Sequence, residues 1–156
     1  IAAGPSDFMQ AVLDQNKLMV DAKLVTEAQW PFIQQQVAML RDPSFDPKQP
    51  PKGWALGTPG YWFDLREPTA PLAAKQTVPL FIFQGARDFQ VPAGSLETWQ
   101  KELANRDGVA YKLYPKLNHL FSEGDGPMGW QTEYTTPANV PAYVIDDIAA
   151  WVLLKH

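Results

Sequence analysis

The chain has 156 residues, enough for one domain with a substantial core, and a formal charge of −4 that speaks against nucleic acid or an anionic membrane surface as partner. It contains no cysteine, which excludes disulfides, thiol catalysis and cysteine-ligated metals and leaves the redox compartment open. No apolar run is long enough for a membrane span, and six tryptophans and eight phenylalanines make the chain aromatic-rich.

The first five residues, IAAGP, lack a charged leader pattern and read as the tail of a strand entering a turn. Over 7–24, Phe8, Val12 and Met19, flanked by Met9, Leu13 and Val20, recur at helical spacing, and Ser6 is the expected N-cap. Thr26 and Gln29 have the form of a capping box for a second helix with the apolar stripe Ile33, Val37 and Leu40. Pro31 is late for a first turn, so that helix is expected to begin or kink there. Residues 41–60 carry five prolines and three glycines, too many breakers for a regular element. Phe45, Trp54, Tyr61, Trp62 and Phe63 nevertheless argue for an ordered loop packed by its own aromatics. Pro68 and Pro71 allow at most a short helical turn before residue 77.

The stretch 77–92, TVPLFIFQGARDFQVP, organises the rest. Its unbroken apolar run, with Val78 included, suits a parallel strand covered on both faces, and Pro79 marks where pairing starts. Ser95 then caps a helix through Leu96, Trp99 and Leu103, and 109–114 alternates as a second strand near a sheet edge. A loop with His119 follows Pro115, then a Gly/Pro-rich stretch, 124–137, without periodicity. The last helix, from about residue 139 to 154, has Pro141 in its first turn and Val144, Ile148, Trp151 and Val152 as its core stripe. Strand, helix, strand, loop, helix is an α/β pattern.

Chemistry gathers outside the carboxyl ends of parallel strands, where both Asp88 and His119 fall. By position, His119 is either a surface or satisfied-core histidine or the base of an acid–base pair with Asp88. His156 reads as a tail or the start of a tag. A metal site would have only Glu123 and Asp125 near His119 in sequence. Asp146 and Asp147 sit on a helix beside its apolar stripe, as a solvated face does, more than as a glycosidase pair. Neither a dinucleotide nor a P-loop fingerprint is present.

The run VPLFIFQGARDFQVP, followed by YKLYPKLNHLF and VIDDIAAWV, resembles the C-terminal portion of α/β-hydrolase-fold serine hydrolases, in particular the bacterial esterase and peptidase-like branch. In that family the triad acid lies in G-x-x-D-x-x-V-P, matched by Gly85, Asp88, Val91 and Pro92. The triad histidine lies in Y-P-x-x-x-H-x-F, matched by Tyr114, Pro115, His119 and Phe121. The order acid then histidine also agrees.

The resemblance implies an α/β-hydrolase core over 77–156, preceded by a helical, aromatic-rich cap region over 1–76. Residues 7–64 would form a lid, with Trp54, Tyr61 and Trp62 as candidates for its lining, although core packing is the simpler role for all three. It implies a small-molecule ester or peptide substrate and no metal or organic cofactor.

The sequence departs from the family at one point: G-x-S-x-G is absent. Ser6, Ser44, Ser95 and Ser122 do not sit on a strand-to-helix elbow. The resemblance therefore places the nucleophile upstream of Ile1, and a fragment lacking it is expected to be inactive. A companion, either the missing N-terminal segment or a second copy, should cover its strand edge and apolar helix faces. The alternatives are a non-catalytic binding module with a degenerate hydrolase fold, and a dehalogenase-type enzyme with an upstream aspartate nucleophile.

Overall fold

In the computed structural model, which describes residues 1–154, the sheet forms around the apolar run at 80–83. Strands β1 (Leu80–Gly85) and β2 (Val109–Tyr114) pair in parallel, Leu80 opposite Val109 and Gly85 opposite Tyr114. Parallel neighbours need a crossover, and between them runs the helix α5 (Gly94–Glu102). The first residues pair along the other edge of β1. Ala2 bridges Phe83 in parallel, the Ala3 N–H donates to the Phe83 carbonyl at 2.9 Å, and the Phe83 N–H donates to the Ile1 carbonyl at 3.0 Å. β1 is thus central, as its unbroken apolar run requires. Val78 falls outside the strand and is exposed, because pairing begins after Pro79 with the Leu80 N–H donating to the Gly108 carbonyl at 2.9 Å.

Period-two alternation divides the core between the two faces of the sheet. Phe81 and Phe83 point one way and pack with Tyr114, Leu117, Phe121 and Val144, the last from α6 (Ala142–Leu153). Ile82 points the other way, against Leu96, Trp99 and Leu103 from and just beyond α5, and Ala70 from the five-residue α4 (Thr69–Ala73). The Trp99 indole donates to the Gly4 carbonyl at 2.9 Å, joining α5 to the first turn of the chain. Val152, expected in the core stripe of α6, is exposed, as are Ile145 and Leu153, whereas Ile148 and Trp151 pack on the core.

A third cluster lies between α1 (Phe8–Asp21), α2 (Gln29–Arg41) and the loop that follows. Met9, Val37, Leu40 and Phe45 are buried there, with Trp54, Trp62 and Phe63 packed against them. Three of the expected caps are not formed. The α1 cap is Asp7, whose carboxylate accepts from the Gln10 N–H at 2.9 Å, while Ser6 is buried and bonded to Ser95. Residues Thr26 and Gln29 make a backbone turn without the reciprocal side-chain bonds, and α2 starts at Gln29 with Ala28 as its uncapped boundary. Pro31 therefore falls in the first turn of α2, where its missing N–H costs little. Helix α5 has Ala93 at its boundary with no side-chain cap; the Ser95 hydroxyl accepts the Ser6 N–H at 2.8 Å instead.

Within the proline-rich loop, a buried amide replaces secondary structure. The Gln36 side chain donates to the Gly53 carbonyl at 2.9 Å and accepts the Ala55 N–H at 2.8 Å. The indoles of Trp54 and Trp62 donate to the carbonyls of Gly57 and Leu56. Tyr61, on the short α3 (Pro59–Asp64), is exposed and meets Trp62 in a T-shaped contact, so it is not part of the buried packing expected of the loop aromatics. His156 lies outside the described residues.

Candidate functional site

Both residues singled out at the strand ends come together. Asp88 follows β1 by three positions and His119 follows β2 by five, and the His119 Nδ1 lies 2.8 Å from Asp88 Oδ2. Gly85 makes that approach possible. A Cβ there would overlap the Leu117 carbonyl and press on that of Asn118, so only glycine lets the histidine loop cross the end of β1.

Asp88 is completely buried, and a buried carboxylate needs partners for both oxygens. Oδ1 accepts the N–H groups of Gln90 at 2.8 Å and Val91 at 2.9 Å. Oδ2 accepts the Gln84 amide at 2.7 Å besides facing the imidazole. Gln84 is itself buried at the end of β1 and also donates to the Val91 carbonyl at 2.8 Å, which closes the loop of the acid onto its strand. With Nδ1 turned to the carboxylate, Nε2 is the imidazole nitrogen left for a reacting group, and the tautomer with the proton on Nδ1 is the one Asp88 favours.

His119 borders a cavity of about 250 Å³ whose other walls come from Ala3 and Pro5 at the start of the chain, from Phe8, Ala11, Val12 and Gln15 of α1, and from Gln90 and Val91. Trp54, Tyr61 and Trp62 do not border it. They belong to the α1–α2–loop cluster or its surface, because the hydrophobic face of α1 that carries Phe8 stands between them and the histidine.

Most of the remaining candidates are engaged elsewhere. Glu123 accepts the Tyr143 hydroxyl at 2.9 Å, and Asp147 pairs with Lys112 at 2.7 Å and accepts the Tyr114 hydroxyl at 2.8 Å. Asp146 is exposed. Among the described residues no three His, Asp or Glu side chains are grouped as metal ligands. Ser44 donates to Asp42 at 2.6 Å, and Ser6 and Ser95 bond each other across the base of α1. Ser122 meets Asn118 through its backbone N–H, at 3.1 Å from the amide oxygen.

Three polar residues around the pair were not singled out from the sequence. Arg87, buried beside Asp88, donates to both carboxylate oxygens of Glu133 and to the carbonyls of Asp125, Gly126, Met128 and Lys116. Asn118, buried beside His119, donates to Glu133 Oε2 at 3.1 Å and accepts the N–H groups of Leu120 and Ser122. Arg87 holds the Glu133 carboxyl below its ordinary range, with a smaller push from Asn118, against a partial desolvation that acts the other way. Above them, Phe89 packs on Trp130 and Tyr134, so the 124–137 stretch, patternless in sequence, is folded onto the Asp88 loop. The sequence carried no signal for them, because Arg87 and Glu133 are 46 positions apart and their burial appears only in the fold.

No family model matches the chain, and no solved structure gives a significant match. One similarity to a characterised protein stands out: over 106 residues the chain is 39% identical to Esterase EstD of Thermotoga maritima. The match takes in 67% of this chain and 26% of that protein, so the chain spans about a quarter of the length of the esterase it resembles.

Proposed function

We propose that this chain carries the acid and the base of a carboxylic ester hydrolase of the α/β-hydrolase type. The observation that carries the reading is the Asp88–His119 contact, a buried and fully bonded carboxylate on Nδ1 of a histidine that faces a cavity. The similarity to Esterase EstD and the parallel sheet with helices on both faces support it. On this reading His119 Nε2 removes the proton of a serine hydroxyl as it attacks the ester carbonyl. It then delivers that proton to the departing alcohol, and water repeats the cycle on the acyl-enzyme. Asp88 keeps the imidazole in the required tautomer and stabilises the imidazolium.

The serine, in a G-x-S-x-G elbow, and the backbone oxyanion donors belong to sequence upstream of Ile1, and this stretch alone does not turn over. Residues 7–64 act as a lid, residues 1–3 are the end of a core strand beside β1, and 77–156 are the end of the core. The exposed Ile145, Val152 and Leu153 of α6 and the outer edge of residues 1–3 are then covered by the upstream part of the same polypeptide.

A fluorophosphonate probe tests the reading on the encoded polypeptide with its upstream sequence. Labelling of one serine in a G-x-S-x-G, abolished by His119→Ala, is the expected result. No labelling, together with retained binding of ester ligands, would support a binding module instead.

A further inference from the structure

Between β2 and α6, where the described chain forms only the short 3-10 turn Gln131–Thr135, several buried or half-buried polar side chains bond one another. The Arg87 side chain is 3% exposed, and its guanidinium closes on the 116–133 segment through the carbonyls of Lys116, Asp125, Gly126 and Met128 and the carboxylate of Glu133. Glu133 passes the contact on, since its Oε2 also accepts from the Asn118 amide at 3.1 Å. Asn118 in turn fixes the turn that holds His119. Its side-chain oxygen accepts the Leu120 and Ser122 N–H groups at 3.0 and 3.1 Å, its backbone N–H donates to the Ser122 carbonyl, and its carbonyl accepts the Phe121 N–H. Phe121 sits at φ 56°, a left-handed conformation that an aromatic residue adopts only when its surroundings impose it. Gly129 brings the outer segment against this turn: a Cβ there would overlap that of Asn118, and its N–H donates to the Arg87 carbonyl at 2.7 Å.

These contacts form one bonded path from the residue before the acid to the residue before the base. We propose that Arg87 and Glu133 are positioning residues that, through Asn118, hold the His119 imidazole against Asp88. A sheet end alone fixes only where the two loops start. The arginine–glutamate–asparagine path fixes where the second loop stops, and a ring displaced by about 1 Å loses a large part of its catalytic value. The functional consequence rests on the hydrolase reading above; the geometric claim does not.

The experiment follows the His119 Nδ1 proton by NMR in the ¹⁵N-labelled chain, with His119→Gln to assign it against His156. The unsubstituted chain should show a protected Nδ1 proton. In Glu133→Ala its solvent exchange should rise at least about tenfold, the scale of losing one charge-assisted bond from the path. Glu133→Gln, which keeps the shape and an acceptor, should fall between the two. In an active enzyme carrying this chain, Glu133→Gln should lower kcat about 10- to 100-fold with KM within about threefold. Urea unfolding identifies the variants that fold cooperatively. A folded Glu133→Ala whose His119 proton exchanges within about twofold of the unsubstituted chain would overturn the proposal. Should Glu133→Ala not fold, the same insensitivity in Glu133→Gln overturns it. An unprotected proton in the unsubstituted chain would remove the Asp88–His119 contact itself, and with it the support for the hydrolase reading. Insensitivity to Glu133 alone leaves that reading standing.

Discussion

Replacing Asp88 by asparagine changes one atom and should have two measurable effects. In the native site four donors converge on the carboxylate: Gln90 and Val91 N–H on Oδ1, Gln84 and His119 on Oδ2. Asparagine can present its oxygen to the two backbone groups, which cannot turn away, and must then point its NH₂ at Gln84 and His119. Charged bonds are roughly twice as strong as neutral ones, so the two retained bonds lose together about 1–2 kcal/mol. The Gln84 amide is held by its second bond to the Val91 carbonyl and is left facing a donor, at a further cost of about 1–3 kcal/mol. His119 alone can adapt, by moving its proton to Nε2 so that Nδ1 accepts. The sum, about 2–5 kcal/mol, is a large share of a typical domain's stability of roughly 5–15 kcal/mol. With a urea slope near 2 kcal/mol/M the midpoint should fall by about 1–2.5 M. The tautomer is read from ¹⁵N–¹H correlations of the neutral ring. A midpoint within about 0.3 M of the unsubstituted chain, or a proton still on Nδ1, would refute the account of the site.

Other substitutions probe the framework. Gly129→Ala should cost about 2 kcal/mol or more in urea unfolding, because its Cβ overlaps Asn118 and crowds Glu133. Gly126→Ala, at φ 84° in open space, should cost only the backbone term of about 1–2 kcal/mol and leave the His119 proton untouched. Burial, aided by Asp147, raises the Tyr114 phenol far above its ordinary value, so its contribution is full below about pH 10 and is lost as pH rises further. Tyr114→Phe should therefore lose about 1 kcal/mol at neutral pH and show a flatter alkaline limb in chemical denaturation. Glu133 has the opposite sign: its lowered value gives stability that is present above about pH 4.3 and lost as pH falls through the folded value. Glu133→Gln should flatten the acid limb.

The two strands, the crossover helix and the last helix were legible because their signals are local. The apolar run of β1, the alternation of β2 and the stripe of α6 each lie within one window of sequence. The positions of Asp88 and His119 followed from where parallel strands end. What was not legible depends on partners far away in the chain. Ser6 looks like a helix cap until its hydroxyl is taken by Ser95, 89 positions on, and Asp7 takes the cap instead. Arg87 meets Glu133 across 46 positions, with no spacing to announce it. Val152 fits the stripe of α6 by period, yet it is exposed, because a helix packed on one face of this sheet covers only a narrow arc. The aromatics of the proline-rich loop were rightly expected to order it, but their place behind α1, away from the cavity, is a fact of packing that composition does not carry.

On the proposed function, Asp88 and His119 are the acid and base of an ester hydrolase. The most direct test is the turnover of an activated short-chain ester by the encoded polypeptide, upstream sequence included, compared with His119→Ala and Asp88→Ala. The account predicts that His119→Ala lowers kcat/KM by about 10⁴-fold or more, with Asp88→Ala close behind. Turnover that survives both substitutions within about tenfold would contradict it.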